Sequence, residues 1–217
     1  FGRSLLMLGE HLKSESVPIA YKTFPERRKQ KIFFPFDAPS FLLNNFTVSL
    51  FNKIYFALQK RKKKMIVDWD TYFYPLDSIG DWNRMYGKNG FFQFQCVLPN
   101  ESSAKGFEQI LLLIQQKSSG SFLAVLKQFG DGNGYLSFPR KGFTLALDFK
   151  ATKKNIKFAK ELTKVVNNLG GNIYLAKDSI MDSHEFNEQM NPNLLQNFKT
   201  YRNHKIQSDF EQAKNSV

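Results

Sequence analysis

Lys127 stands in an otherwise apolar run, Ser121-Phe-Leu-Ala-Val-Leu-Lys-Gln-Phe129, closed by the turn-forming Gly130-Asp-Gly-Asn-Gly134. An ammonium group there must be paired, reach water or serve a ligand, because burying an unpaired charge is costly. Two other segments share this oddity. Gln93-Phe94-Gln95 sets two amides in an apolar run, and Tyr174-Leu-Ala-Lys177 ends a short apolar run with a phenol and a second lysine. Side chains alternate along a strand, so Gln93 and Gln95 share one face of theirs, and Lys127 and Phe129 one face of theirs. Two amides, an ammonium and an aromatic ring suit a hydroxyl-rich or phosphorylated ligand: amides bond hydroxyls in either direction and the lysine attracts anions. Taken alone, a lysine of this kind more often lies at a sheet edge with its head in water. Three such features on three expected strands of one unit favour a site.

Other chemistry finds little support. The glycine-rich 130–134 segment lacks the following helix that would aim backbone amides at a phosphate, so a hairpin turn is expected. His11, His184 and His204 lie in segments without a nucleophile or carboxylate pattern, which leaves a catalytic triad unsupported. Asp77 and Asp81 flank a glycine and read as turn or capping residues. The single cysteine, Cys96, excludes an internal disulfide framework and, with no clustered histidines, suggests no metal site. Its place in the apolar 91–98 run points to an inert, buried thiol.

These residues need elements to position them. Apolar periodicity predicts strands at 3–12, 65–73, 91–98, 121–129, 143–149 and 173–176, and helices at 41–58, 104–116 and 155–169. Ser102 and Ser103 mark a helix start, and Gly170-Gly171 a left-handed helix end. From residue 91 the order is strand, helix, strand, strand, helix, strand. The expected fold is therefore α+β: a ferredoxin-like antiparallel sheet with its helices on one face, the other face left free for a site, plus a polar helical tail from 178.

Composition bounds the partners. A chain of 217 residues that is 42% hydrophobic, with 23 phenylalanines, can bury a full core. Its formal charge of +12 favours anionic partners. The apolar 41–58 helix runs into Lys60-Arg-Lys-Lys-Lys64, the pattern of a peripheral membrane contact, although a core helix with a solvated charged end is the commoner case. No secretion signal is visible, and a chain that starts at Phe1 rather than Met is expected to come from a longer product. A cytoplasmic place, or a peripheral one at an inner membrane, is the expectation.

Six stretches occur in an order that resembles a known family: Phe73-Tyr-Pro-Leu-Asp77, Trp82-Asn-Arg-Met-Tyr-Gly87, Gly90-Phe-Phe-Gln-Phe-Gln95, the 121–130 run, Leu136-Ser-Phe-Pro139 and Tyr174-Leu-Ala-Lys-Asp-Ser179. They resemble the substrate-domain half of the decaprenylphosphoryl-ribose oxidases, FAD-dependent enzymes of the vanillyl-alcohol oxidase class. The resemblance implies oxidation of a ribose hydroxyl on a polyprenyl-phosphate sugar, with hydride passing to FAD, and a short-chain reductase as partner that completes conversion to the arabinose. It implies that Gln93, Gln95, Lys127, Phe129, Thr144 and Ala146 line the substrate pocket, with Phe73, Leu76, Trp82 and Asn83 as a further wall. Tyr174 and Lys177 would lie at the junction of flavin and substrate, the lysine stabilising negative charge on the reduced ring. Thr144 and Ala146 stand where mycobacterial members carry Asn and Cys.

The resemblance also implies that residues 1–171 form the substrate domain and that 172–217 return to a flavin-binding domain absent from this chain, which alone would be inactive and hold FAD weakly. Two rival functions remain. One is an aldonolactone oxidase of the same flavin class. The other is a basic nucleic-acid-binding or membrane-binding module, and for nucleic acid the chain lacks the basic, glycine and aromatic run that RNA-binding sheets place on a central strand.

Overall fold

The computed structural model describes residues 7–16, 18, 32–39, 42, 44–60, 64–74, 79–117, 123–132 and 137–201. The chain divides into two compact units, Phe1–Lys88 and Asn89–Val217. Residue 172, where the second segment is expected to begin, is the first residue of a strand paired with the 91–99 strand.

In the first unit β1 (Ile32–Phe33) pairs in parallel with β2 (Ile79–Gly80). Between them lie α1 (Asn45–Lys60) and the short α2 (Trp69–Phe73), and a 3-10 turn, Trp82–Tyr86, follows. Asn44, which interrupts the apolar run in sequence, caps α1: its Oδ1 accepts from the Phe46 and Thr47 backbone N–H groups at 2.8 and 3.0 Å. Two expectations fail here. The strand read at 65–73 is a loop followed by α2: Met65, Ile66 and Val67 are exposed, and among the described residues no strand pairs with them. The strand read at 3–12 is also absent from its described part, residues 7–12.

The second unit carries β3 (Phe91–Pro99), α3 (Asn100–Lys117), β4 (Ala124–Phe129), β5 (Gly142–Lys150), α4 (Lys153–Asn168) and β6 (Asn172–Ile173). The four strands form an antiparallel sheet in the order β4-β5-β3-β6. The α+β class is as expected, and β5 lies between β3 and β4, so the first strand–helix–strand unit is split. α5 (Ser183–Gln189) and α6 (Pro192–Tyr201) realise the helical tail as far as residue 201.

Both long helices cover one sheet face. Phe94, Cys96 and Leu98 of β3 and Leu145, Leu147 and Phe149 of β5 point the same way by period two. They form one core with Ile110 and Ile114 of α3 and Phe158, Leu162 and Val166 of α4. Thr152 starts α4 by accepting from the Asn155 N–H, and buried Asn155 donates to the Lys150 carbonyl at 2.9 Å, so the helix leaves β5 at a fixed angle. Its end is the expected glycine cap. Gly170, at φ 67°, donates to the Asn167 carbonyl, and Gly171 to that of Val166. Ser102 does not cap α3, which begins at Asn100; its hydroxyl donates to the Leu169 carbonyl at 2.9 Å and ties α3 to the end of α4.

Candidate functional site

On the side of the sheet away from α3 and α4, antiparallel register sets the side chains in rows. One row joins Gln93 to Asp148, and the Asp148 N–H continues it to the Leu123 carbonyl. The next holds Val125, Ala146 and Gln95, extended to Tyr174, whose N–H donates to the Gln95 carbonyl at 2.8 Å. A third runs Lys127, Thr144, Val97, Asn172, and Phe129 lies in the row beyond, opposite Gly142. One face therefore gathers Gln93, Gln95, Lys127, Phe129, Thr144, Ala146 and Tyr174. Lys177 follows on an exposed turn, its N–H donating to the Tyr174 carbonyl.

The remaining expected residues belong to the first unit. Phe73 is exposed at the end of α2 with its ring stacked on His11. Trp82 is half-buried against Tyr86, Asn83 is exposed, and Leu76 lies outside the described residues.

The face is not open as expected. The connection from β4 to β5, described at 130–132 and 137–141, brings Phe138 over it: the ring stacks on Tyr174 at 4.4 Å and meets Phe129 edge-on at 6.0 Å. The ring thus bridges the two side rows across the one holding Val97 and Thr144, which are only 0% and 1% exposed although neither faces a helix. Arg140 fastens this segment, donating from its guanidinium to Asn172 Oδ1 and to the Gly170 carbonyl.

Polar groups on the face are held in place. Gln93 Nε2 donates to Asp148 Oδ1 at 2.7 Å and Gln95 Nε2 to Thr144 Oγ1 at 3.1 Å, orienting both amides. Lys127, by contrast, lies exposed on the edge strand β4, so its charge reaches water and imposes no folding cost. The buried acid of this face is Asp148, 1% exposed in the apolar run of β5. Sequence reading missed Asp148, Phe138, Arg140 and Asn172. Asp148 carried a usable signal: an acid inside an apolar run, two residues beyond Ala146. Arg140 and Asn172 carried none, since their pairing depends on where the loop folds.

Cys96 points into the helix-covered core, 0% exposed, and burial pushes its thiol pKa up to about 12, so it is the inert group expected. Among the described residues no group of three His, Cys, Asp or Glu side chains is placed to hold a metal ion. Gly130 and Gly132 lead toward β5, the antiparallel neighbour of β4, and so belong to a hairpin connection rather than to a loop–helix phosphate cradle.

No protein-family model matches the chain. Over 181 residues it is 33% identical to a decaprenylphosphoryl-beta-D-ribose oxidase of Mycolicibacterium smegmatis. The aligned part is 82% of this chain and 39% of the length of that protein. Over most of its length, then, the chain is similar to part of a decaprenylphosphoryl-beta-D-ribose oxidase, which bears out the likeness read from its motifs.

Proposed function

We propose that the chain supplies the substrate-binding part of an FAD-dependent oxidoreductase that oxidises a ribose hydroxyl of a polyprenylphosphoryl sugar. The observation that carries the reading is the single sheet face that gathers Gln93, Gln95, Lys127 and Tyr174, in a chain similar to part of such an oxidase. With their amide nitrogens engaged by Asp148 and Thr144, Gln93 and Gln95 are oriented to offer carbonyl oxygens to sugar hydroxyls. Lys127 attracts the phosphate from the sheet edge. Phe129, Phe138 and Tyr174 give an aromatic wall against which a sugar ring packs and from which water is excluded.

The donor set fits a flavin at one border of this face. Tyr174 offers a ring already stacked on Phe138, and the exposed ammonium of Lys177 on the following turn would stabilise a negative ring edge. When bound, the flavin supplies the hydride acceptor. The larger share of FAD binding is assigned outside this face. A short-chain reductase that consumes the keto-sugar product is the corresponding partner.

Calorimetric titration with a short-chain prenylphosphoryl-β-D-ribose tests the reading. Binding is expected to weaken about tenfold or more in Lys127→Ala and in Gln95→Ala. Unchanged binding in both variants, or binding of an aldonolactone in preference to the ribose phosphate, would count against it. Desalting the chain after mixing with FAD is expected to leave it colourless.

A further inference from the structure

The helix read in sequence as a core element is not one. α1 buries none of its residues, and Phe46, Leu50, Ile54 and Leu58, recurring every four residues, form an exposed ridge, with Phe46 at 75% and Ile54 at 53% exposure. Phe51 and Tyr55 widen it, their rings stacked at 6.0 Å. Helical spacing places the exposed Lys53 and Lys60 along one flank of this ridge, and Asn52, Phe56 and Gln59 opposite it, where Phe56 and Gln59 are half-buried. From 38 to 67 the sequence holds no acidic residue and six basic ones: Lys53, Lys60, Arg61, Lys62, Lys63 and Lys64. Arg61, Lys62 and Lys63 lie outside the described residues and enter only as charges along the sequence. Past the basic run, Met65, Ile66, Trp69 and Tyr74 are again exposed.

We infer that α1 and the segment after it, to Tyr74, form an interfacial element that lies on an anionic phospholipid bilayer. The helix does not cross it: among the described residues no helix is long and apolar enough to do so. An apolar ridge flanked by lysines is what a helix lying in the headgroup plane needs, since the ridge enters the acyl boundary while the flanking lysines reach up to lipid phosphates. Trp69 and Tyr74 suit the same depth, with an apolar ring body and a polar handle. A water-soluble surface has no use for such a ridge, and a purely electrostatic contact would not need it. The charge complementarity selects a bilayer over a neutral apolar partner. This inference does not rest on the sugar chemistry, and the vesicles that test it contain no sugar ligand.

Co-sedimentation of the 217-residue chain with vesicles of phosphatidylglycerol and phosphatidylcholine, against phosphatidylcholine alone, reads the binding. At least tenfold stronger partition onto the anionic vesicles is expected, reduced about tenfold by K60E/K64E and by I54S/L58S. Both pairs replace residues that α1 and its flank expose, and circular dichroism checks that the fold is kept. Trp82→Phe leaves Trp69 as the only tryptophan, whose emission is expected to shift blue and to be quenched by brominated acyl chains. Binding that K60E/K64E abolishes while I54S/L58S and Trp69 quenching leave it untouched would mean a polycation adsorbed on charge, and would overturn the proposal. So would self-association that I54S/L58S removes, with no preference for anionic vesicles.

Discussion

Charged residues in apolar strands have opposite fates in this protein, and their position in the sheet decides which. Lys127 is on an edge strand and exposed, so removing it should cost the fold little and act on ligand binding alone. Asp148 is on β5, flanked by strands on both sides, and Gln93 delivers an amide N–H to its carboxylate. Gln93→Ala is expected to destabilise the second unit by about 1–3 kcal/mol, the cost of taking a donor from a buried carboxylate, measured by urea unfolding. Cys96 offers a second test at this scale. With its folded pKa near 12, the native thiol should be silent to a thiol-reactive dye until the chain unfolds. The sign of the linkage follows. The unfolded thiol ionises near its ordinary value of 9.0 while the folded one keeps its proton, so stability is full below pH 9 and falls as pH rises toward 12.

Helices here are specified at their ends as much as along their faces. α5 has a capping box in which Asp182 accepts from the Glu185 N–H at 2.9 Å while the Glu185 carboxylate accepts from the Asp182 N–H at 3.1 Å. The backbone hydrogen bond from Glu185 holds the Asp182 carboxyl below its ordinary pKa. Its contribution is therefore present above that ordinary value and lost as pH falls through the depressed one. Amide protection at the start of α5, the exchange rate corrected for the intrinsic rate at each pH, should fall at acid pH before that of the core, and protection there as high at low pH as at neutral pH would contradict the assignment. Elements without such ends, or without a neighbour, were misread. The 65–73 segment has strand-like residues, but its regular structure is the short α2, at whose start the Asp68 side chain makes no cap hydrogen bond.

At the scale of the whole molecule, the second unit is organised around one core that both crossover helices share. Phe158 of α4 is 3% exposed and meets Phe149 of β5 edge-on at 6.0 Å. Phe158→Ala should cost about 3–5 kcal/mol, seen as a lowered denaturation midpoint, because the cavity opens between sheet and helix where neither can collapse. A loss below about 1 kcal/mol would mean that the layer is not closely packed. The same two-layer design explains the site. Helices on one face leave the other to the β4–β5 connection, which brings Phe138 across the row of Val97 and Thr144.

Local signals determined a good part of this protein. Period-two alternation gave away β3 and β5 and hence the shared face of Gln93 and Gln95, and the Gly170-Gly171 pair announced the end of α4, because strand alternation and left-handed caps are properties of a few adjacent residues. Ordered motifs carried the likeness to a decaprenylphosphoryl-ribose oxidase. What depended on residues far apart in the chain was decided by tertiary structure alone. Only strand order could say that Lys127 stands at an edge and Asp148 inside. Only the path of the loop could set Phe138 on Tyr174 and Arg140 on Asn172, and only packing could show that the ridge of the apolar helix α1 is left uncovered by the chain. Burial is a property of neighbours, and the sequence around a residue does not contain them.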